Sequence, residues 1–200
     1  MEAEEAMQDI ITTIKQRRSI RKFKEEQVSK KVLLTILEAG QYAPSGGNNQ
    51  TTHMLVIQNK EVLQKLKDIV EYEFSQMEIY EGMYESIKAS IRASKKGGYE
   101  FFYKAPVLII VTNKKGYGNA MADSACVLEN MMLAATELNV GSCWINQLHW
   151  LEENTTVRAY LAGLGISDNE TICGGLALGY AEITPATPIK RTGNPITFID

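Results

Sequence analysis

The sequence predicts an α+β fold in which a central mixed β-sheet is flanked by helices. Short apolar runs typical of buried strands interleave with amphipathic segments of helical period, but they do not form regular βαβ units. The chain has 200 residues, of which 44% are hydrophobic and 22% charged. That length and composition suit one domain over residues 1–200, large enough to bury a substantial core.

The first two predicted helices precede residue 43. The first is marked by a small apolar stripe, formed by Ile10, Ile11 and Ile14. It ends near Arg17, and Ser29 is a suitable N-cap for the second helix. Four apolar residues of the second helix fall on one face, namely Val32, Leu33, Ile36 and Leu37. Gly40 and Pro44 are signals that end it.

Residues 53–58 predict a buried strand, and Asn59 caps a helix that starts at Lys60. The stretch 74–96 predicts another helix, because apolar and aromatic residues recur at three- and four-residue steps. These residues are Met77, Tyr80, Tyr84, Ile87 and Ile91. The stripe is interpreted as core or subunit interface rather than as a ligand site. Whether this helix closes over a site or builds a dimer stays open.

The second half of the chain alternates strands and helices. Strands are predicted at 107–111, 142–145 and 172–178, and helices at 120–138 and 151–161. The tail over about 184–200 carries three of the five prolines and has no helical period. It is interpreted as an extended segment that wraps a neighbour or a partner subunit.

Composition argues against several classes of protein. A net charge of −3 disfavours nucleic-acid binding, and no apolar run approaches the ~20 residues of a membrane span. The acidic segment 1–6 lacks the apolar stretch of a signal peptide. Three cysteines stand far apart without a C-x-x-C pattern, and neither histidine has a partner at metal-ligand spacing. We therefore expect a cytoplasmic protein without a metal site, bound neither to nucleic acid nor to a membrane.

Two short segments carry the functional signal. RRSIR at 17–21 places three guanidinium groups and a hydroxyl within five residues, and APSGGNNQ at 43–50 is a loop that leads into the apolar run 53–57. Taken alone, the first also suits a solvated basic helix end and the second a surface turn. In this order, with a helix between them, they resemble the signature of the nitroreductase-like family of FMN-dependent NAD(P)H oxidoreductases.

The resemblance implies that both segments bind FMN. A planar guanidinium that keeps its charge suits the FMN phosphate and the ring edge that gains negative charge on reduction. The implied ligands of the first segment are Arg17, Arg18, Ser19 and Arg21. Those of the loop are Pro44, Ser45, Asn48 and Gln50. Thr51 and Thr52 stand where relatives have proline and an aromatic residue.

GSCWINQ at 141–147 is a third matching element, since it follows a long helix as in the family. The resemblance places it against one face of the flavin and its hydride-accepting atom N5. The implied residues are Trp144, Ile145, Asn146 and Gln147, with core packing as the alternative for the Trp144 side chain. Gly179-Tyr180-Ala181 matches the family's terminal G-Y-P/A element. The resemblance implies that the basic residue beyond it that reaches the FMN phosphate is Lys190 or Arg191, with a charged tail as the alternative.

The resemblance also implies an activity and an assembly. The implied enzyme is a homodimer with two FMN sites at its interface, where NAD(P)H delivers hydride and an acceptor then takes its place in a ping-pong sequence. Nitroaromatics, quinones and enones are the implied acceptors. No catalytic side chain is assigned, since the cofactor carries the chemistry. The alternatives are a reductive dehalogenase or flavin-cleaving enzyme of the same fold, and a flavin-binding protein with little turnover.

Overall fold

The computed structural model describes residues 10–199, so the acidic segment 1–6 lies outside the described residues. The strands are β1 (His53–Ile57), β2 (Val107–Lys114), β3 (Gly141–Ile145) and β4 (Glu170–Gly179). The helices are α1 (Ile10–Gln16), α2 (Lys30–Gln41), α3 (Lys60–Gln76), α4 (Glu85–Lys96), α5 (Ala120–Glu137), α6 (Gln147–Trp150) and α7 (Thr155–Gly163). The α+β class predicted from the sequence is confirmed.

The four strands form one sheet in the order β1-β2-β4-β3, and each neighbouring pair is antiparallel. This differs from the mixed pairing expected from the sequence. Within residues 10–199, parallel pairing occurs only at an isolated bridge between Ser19 and Ser142. The order of elements along the chain does not specify strand direction, which is set by how the connecting helices return the chain to the sheet.

Both faces of the sheet are covered by helices, and β2 at its centre contributes to a core on each side. Leu108 and Ile110 pack into the cluster with α3, α4 and α7. Ile109 and Val111 pack into the cluster with α2 and α5. Because successive side chains of a strand point to opposite faces, burial on both faces explains why 107–111 is apolar throughout.

Helix caps follow the sequence closely. The Ser29 hydroxyl accepts a hydrogen bond from the N–H of Val32 at 3.4 Å. The Asn59 side chain accepts from the N–H groups of Glu61 and Val62 at 2.9 and 3.0 Å. Both predicted N-caps are therefore confirmed, because a side-chain oxygen at this position satisfies amides that the helix leaves without partners.

The single helix predicted over 74–96 is wrong. Helix α3 runs to Gln76, residues 77–84 are not helical, and α4 starts only at Glu85. Gly82 in the intervening loop has φ 85°, a left-handed conformation that interrupts a right-handed helix. The apolar stripe is divided accordingly, since Ile91 is fully buried whereas Tyr80 and Tyr84 are exposed.

The helix predicted at 151–161 begins four residues later, at Thr155. The Asn154 side chain accepts a hydrogen bond from the N–H of Val157 at 3.0 Å and caps it there. The tail has no helix or strand between residues 182 and 199. Its apolar side chains, and those of α1, are exposed: Ile10, Ile11, Ile14, Ile189, Ile196, Phe198 and Ile199. None of the helices in residues 10–199 combines the length and apolarity needed to cross a membrane.

Candidate functional site

The arginine segment, residues 17–21, leaves the end of α1 and lies alongside β3. The N–H of Ile20 donates to the carbonyl of Ser142 at 2.9 Å. A Cβ on Gly141 would lie only 3.0 Å from the Ile20 side chain, so glycine at this position allows the close approach. Ile20 is buried at the contact. The residues on either side of Ile20, Ser19 and Arg21, are exposed.

Each arginine of the segment has a different environment. Nε of Arg17 lies 3.6 Å from Oε1 of Glu129 on α5. Nη1 of Arg18 donates to the Arg17 carbonyl, whereas Nη2 of Arg18 is buried and has no hydrogen-bond partner within residues 10–199. The Arg21 guanidinium carbon lies 5.8 Å from the ring centroid of Tyr103. Arg18 therefore holds a buried donor that no residue of the described chain satisfies.

The segment borders a cavity of about 520 Å³, here called the basic cavity. Its charged lining consists of Arg17, Arg18, Arg21, Lys22 and Arg191, and no carboxylate is among the lining residues. Ser19 also lines it, whereas Lys190 does not. Five cations without an acidic neighbour in the lining make this cavity suited to a multiply charged anion.

The loop at residues 44–50 is held in a compact turn. The Ser45 hydroxyl accepts from the N–H of Gln50 at 3.1 Å and closes the loop. Residues 47, 48 and 50 have φ of 61°, 53° and 50°. A Cβ on Gly46 would lie 2.3 Å from the Asn119 side-chain nitrogen and 2.6 Å from the Tyr117 hydroxyl, so a larger residue here would have to displace both side chains.

Asp123 on α5 anchors this loop. Each of its carboxylate oxygens lies 3.2 Å from the N–H of Gly46, and the Tyr117 hydroxyl donates to Oδ2 at 3.0 Å. Asp123 is buried, so the loop rests on a carboxylate largely shielded from water. Sequence reasoning missed Asp123 and Tyr117, because no local pattern joins them to a loop more than 70 residues earlier.

The two threonines that depart from the family pattern hold the far end of the loop. The Thr51 hydroxyl donates to Oδ1 of Asn113 at 2.7 Å, and Nδ2 of Asn113 donates to Thr52 at 3.1 Å. Asn113 lies on β2 and is fully buried. The loop is thus tied to the sheet through Asn113 and to α5 through Asp123.

The loop lines its own cavity of about 640 Å³, here called the loop cavity. Its lining includes all four predicted loop residues, Pro44, Ser45, Asn48 and Gln50. No residue lines both the loop cavity and the basic cavity. A single copy of the chain therefore does not bring the loop and the arginine segment to one cavity.

The predicted residues at the end of β3 lie outside both cavities. Ile145 is buried in the core, so its side chain is not available to a ligand. The indole N–H of Trp144 donates to Oδ1 of Asn146 at 2.6 Å, and the Trp144 ring packs against the core on the α5 side. Nε2 of Gln147 donates to the Tyr99 hydroxyl at 2.8 Å.

Comparison with known proteins identifies the family. The family model described as the nitroreductase family matches residues 14–180. The chain belongs to the nitroreductase family. The expectations of this family and of a nitroreductase-like oxidoreductase are thereby confirmed.

Individual relatives agree with this family. A Bacteroides fragilis nitroreductase solved with bound FMN is 35% identical, with a TM-score of 0.85, and the match covers 96% of this chain and 100% of that one. An Archaeoglobus fulgidus protein provisionally named NADH dehydrogenase/NAD(P)H nitroreductase is 28% identical over 87% of this chain and 86% of its own. A 4-nitrobenzoate reductase from Nocardioides sp. is 24% identical over 93% of this chain and 88% of its own.

Proposed function

We propose that this protein binds FMN and uses NAD(P)H to reduce nitroaromatic, quinone or enone-type acceptors. The similar Bacteroides fragilis structure contains FMN, and the Nocardioides relative is named for a nitroaromatic substrate, which supports this class of reaction. FMN, when bound, supplies the acceptor and donor of hydride between the two substrates. The chain's own residues bind the cofactor, orient it and shape the space beside it.

The buried Nη2 of Arg18 is the observation on which the cofactor assignment rests. A buried donor without a partner is costly, and a phosphate oxygen would satisfy it with a charge-assisted hydrogen bond. The other cations of the basic cavity would balance the charge of a phosphate dianion. We assign Arg17 and Arg18 to the phosphate together with Arg191 rather than Lys190, because Arg191 lines the basic cavity. Ser19 lies beside them, and Arg21 is assigned to the ring edge.

The separation of the two cavities supports a homodimer. We assign Pro44, Ser45, Asn48 and Gln50 to the flavin ring and its ribityl chain, yet these residues line a different cavity from the arginines. The loop of one copy therefore completes the basic cavity of the other. Exposed apolar side chains on α1 and the tail provide surface that a second copy would cover.

The residues assigned to the hydride-transfer side are Trp144, Ile145, Asn146 and Gln147. None of these side chains is an acid or a base, so they position substrates and exclude water, and no catalytic proton donor is assigned among them. Within residues 10–199 there is also no group of three or more residues able to hold a metal ion.

A cytoplasmic location is proposed from the cysteines. All three are free thiols. Burial raises the pKa of Cys143 and of Cys173, so both remain neutral and unreactive. A protein with three unpaired thiols suits a reducing compartment.

The test measures FMN binding and then its reduction. A yellow preparation that releases FMN on denaturation is expected, and Arg18→Ala should weaken FMN binding by roughly 2–5 kcal/mol in a fluorescence titration. Arg92→Ala is the matched control, because Arg92 pairs with Glu85 on the exposed side of α4. Bound FMN should then be reduced in anaerobic stopped-flow mixing with NADH or NADPH. A protein that binds FMN but is reduced by neither nucleotide would be a flavin-binding protein, and the enzymatic proposal would be wrong.

A further inference from the structure

We propose that Tyr99 and Tyr103 are positioning residues of the flavin site, Tyr99 for Gln147 and Tyr103 for Arg21. Both tyrosines lie in the segment 97–105 between α4 and β2, which no sequence motif marked as functional. The inference rests on the proposed function, because Gln147 and Arg21 act there as neighbours of FMN.

The segment is anchored independently of the site. Phe101 and Phe102 are buried in the core, with 1% and 5% of their surface exposed. The N–H of Tyr99 donates to Oε1 of Glu71 on α3 at 2.9 Å, and Lys67 holds the other oxygen of Glu71 at 2.6 Å. The two tyrosines therefore project from a framework that does not depend on a bound cofactor.

A chain of hydrogen bonds fixes which way the Gln147 amide points. The Ser90 hydroxyl donates to the Ser86 carbonyl at 3.1 Å, so its oxygen must accept from the Tyr99 hydroxyl at 2.8 Å. The Tyr99 oxygen is then left to accept, and Nε2 of Gln147 donates to it at 2.8 Å. Each hydroxyl has one proton, so donation by Ser90 to the Ser86 carbonyl sets this order.

The orientation leaves Oε1 of Gln147 on the other side of the amide, buried and without a partner in residues 10–199. Burial raises the pKa of Tyr99, so its hydroxyl stays neutral and the order of the chain holds across the working pH range. Tyr99 thereby holds the start of α6, and with it the Asn146–Gln147 peptide, in one position.

Tyr103 restrains Arg21 through a different kind of contact. The Arg21 guanidinium lies over the Tyr103 ring at 5.8 Å, and Arg21 forms no ion pair within residues 10–199. Within residues 10–199 the ring and hydroxyl of Tyr103 are the contacts that restrain this exposed guanidinium. If Arg21 stands at the ring edge of FMN, Tyr103 keeps the positive charge where it favours the more negative form of the cofactor.

The two contacts predict separable effects. Tyr103→Leu should weaken FMN binding about fivefold. It should also lower about fivefold the ratio of the affinity for reduced FMN to the affinity for oxidised FMN. At about 30 mV per tenfold for a two-electron couple, this lowers the midpoint potential of the bound cofactor by about 20 mV. Tyr103→Phe keeps the ring but not the hydroxyl, so it should restore the part of both effects that the ring contact contributes. Tyr99→Phe should leave FMN affinity and potential within about twofold but lower kcat on the order of tenfold, since it releases Gln147.

The experiment measures FMN affinity, the midpoint potential of the bound cofactor and steady-state turnover for these variants. Tyr160→Phe is the control, because it removes another half-buried tyrosine hydroxyl that takes no part in the proposed site. This hydroxyl donates to the Val62 carbonyl at 3.3 Å. Should Tyr99→Phe fail to fold, Gln147→Leu tests the same contact and is expected to show the same loss of turnover.

The outcomes separate this inference from the proposed function. A wild-type protein that does not bind FMN would overturn both. The positioning role alone would be overturned if the wild-type protein binds and reduces FMN but either variant behaves normally. For Tyr103→Leu this means an unchanged midpoint potential, and for Tyr99→Phe it means the same turnover as Tyr160→Phe.

Discussion

Replacement of Asp123 tests whether the loop at residues 44–50, proposed above to bind the flavin, depends on its anchor in α5. Asp123 is only 6% exposed and accepts hydrogen bonds from the N–H of Gly46 and the Tyr117 hydroxyl. In Asp123→Ala both donors lose their charged acceptor. We expect the loop to loosen and the loop cavity to lose its shape, although Asp123 itself does not line that cavity.

The magnitude follows from the two donors. A hydrogen bond to a charged group contributes about 1.5–3 kcal/mol, so two of them sum to about 3–6 kcal/mol. In the variant the Tyr117 hydroxyl can still donate to the Gly46 carbonyl at 3.2 Å, and both residues are half-buried and regain water, which favours the lower end. A loss of about 3 kcal/mol in unfolding free energy corresponds to a fall of roughly 6–12 °C in Tm for a chain of this size.

The assay is urea unfolding of the apoprotein, combined with an FMN titration. Asp123→Ala should lower the unfolding free energy by about 3 kcal/mol and weaken FMN binding at least about tenfold. Tyr117→Phe removes only the hydroxyl donor and should show a smaller loss in both. If Asp123→Ala unfolds at the wild-type urea concentration and binds FMN with wild-type affinity, the loop does not depend on this carboxylate and the reasoning is refuted.

Three further predictions concern assembly, kinetics and pH. Light scattering at micromolar concentration should give the mass of a dimer, whose interface buries on the order of 2,000 Å² or more, and a monomer with FMN bound would contradict it. Double-reciprocal plots should be parallel, because in the proposed mechanism NAD(P)H and acceptor use one face of the flavin in turn, and intersecting lines would indicate two sites. Substitutions at Asn146 or Gln147 should change acceptor preference more than FMN affinity. The hydrogen bond from Lys67, with that from the Tyr99 N–H, lowers the pKa of Glu71 below its ordinary 4.5. Its stabilisation is therefore complete above pH 4.5 and is lost as the pH falls through the lower folded pKa. The difference in urea midpoint between wild type and Glu71→Gln should shrink from pH 7 to pH 3, and a constant difference would exclude this role.

The features that sequence reasoning predicted well depend on neighbours along the chain. The caps at Ser29 and Asn59 each satisfy amides two or three residues away, so their chemistry is visible in the sequence. The apolar run 107–111 likewise predicted a buried strand, because its signal is a continuous run of neighbouring residues. The same reasoning failed at 74–96. The apolar spacing there continues through residues 77–84, but these residues form a loop in which Gly82 interrupts the helix.

The candidate site shows the same division. The residue types of the arginine segment and the loop suit a phosphate and a flavin edge, and their resemblance to the nitroreductase-like family implied FMN. Their supports could not be predicted. Asp123 lies 77 residues from Gly46, and Tyr99 lies 48 residues from Gln147, so only the folded chain makes them neighbours.

Only the tertiary structure determined which side chains line the same cavity. Lys190 and Arg191 are adjacent and chemically alike in the sequence, yet only Arg191 lines the basic cavity, because the path of the tail carries it there. The separation of the loop cavity from the basic cavity is likewise a property of the packed chain. Local sequence specifies caps, strands and donor chemistry through short-range contacts. Strand direction, cavity lining and long-range supports arise only when distant segments pack against each other.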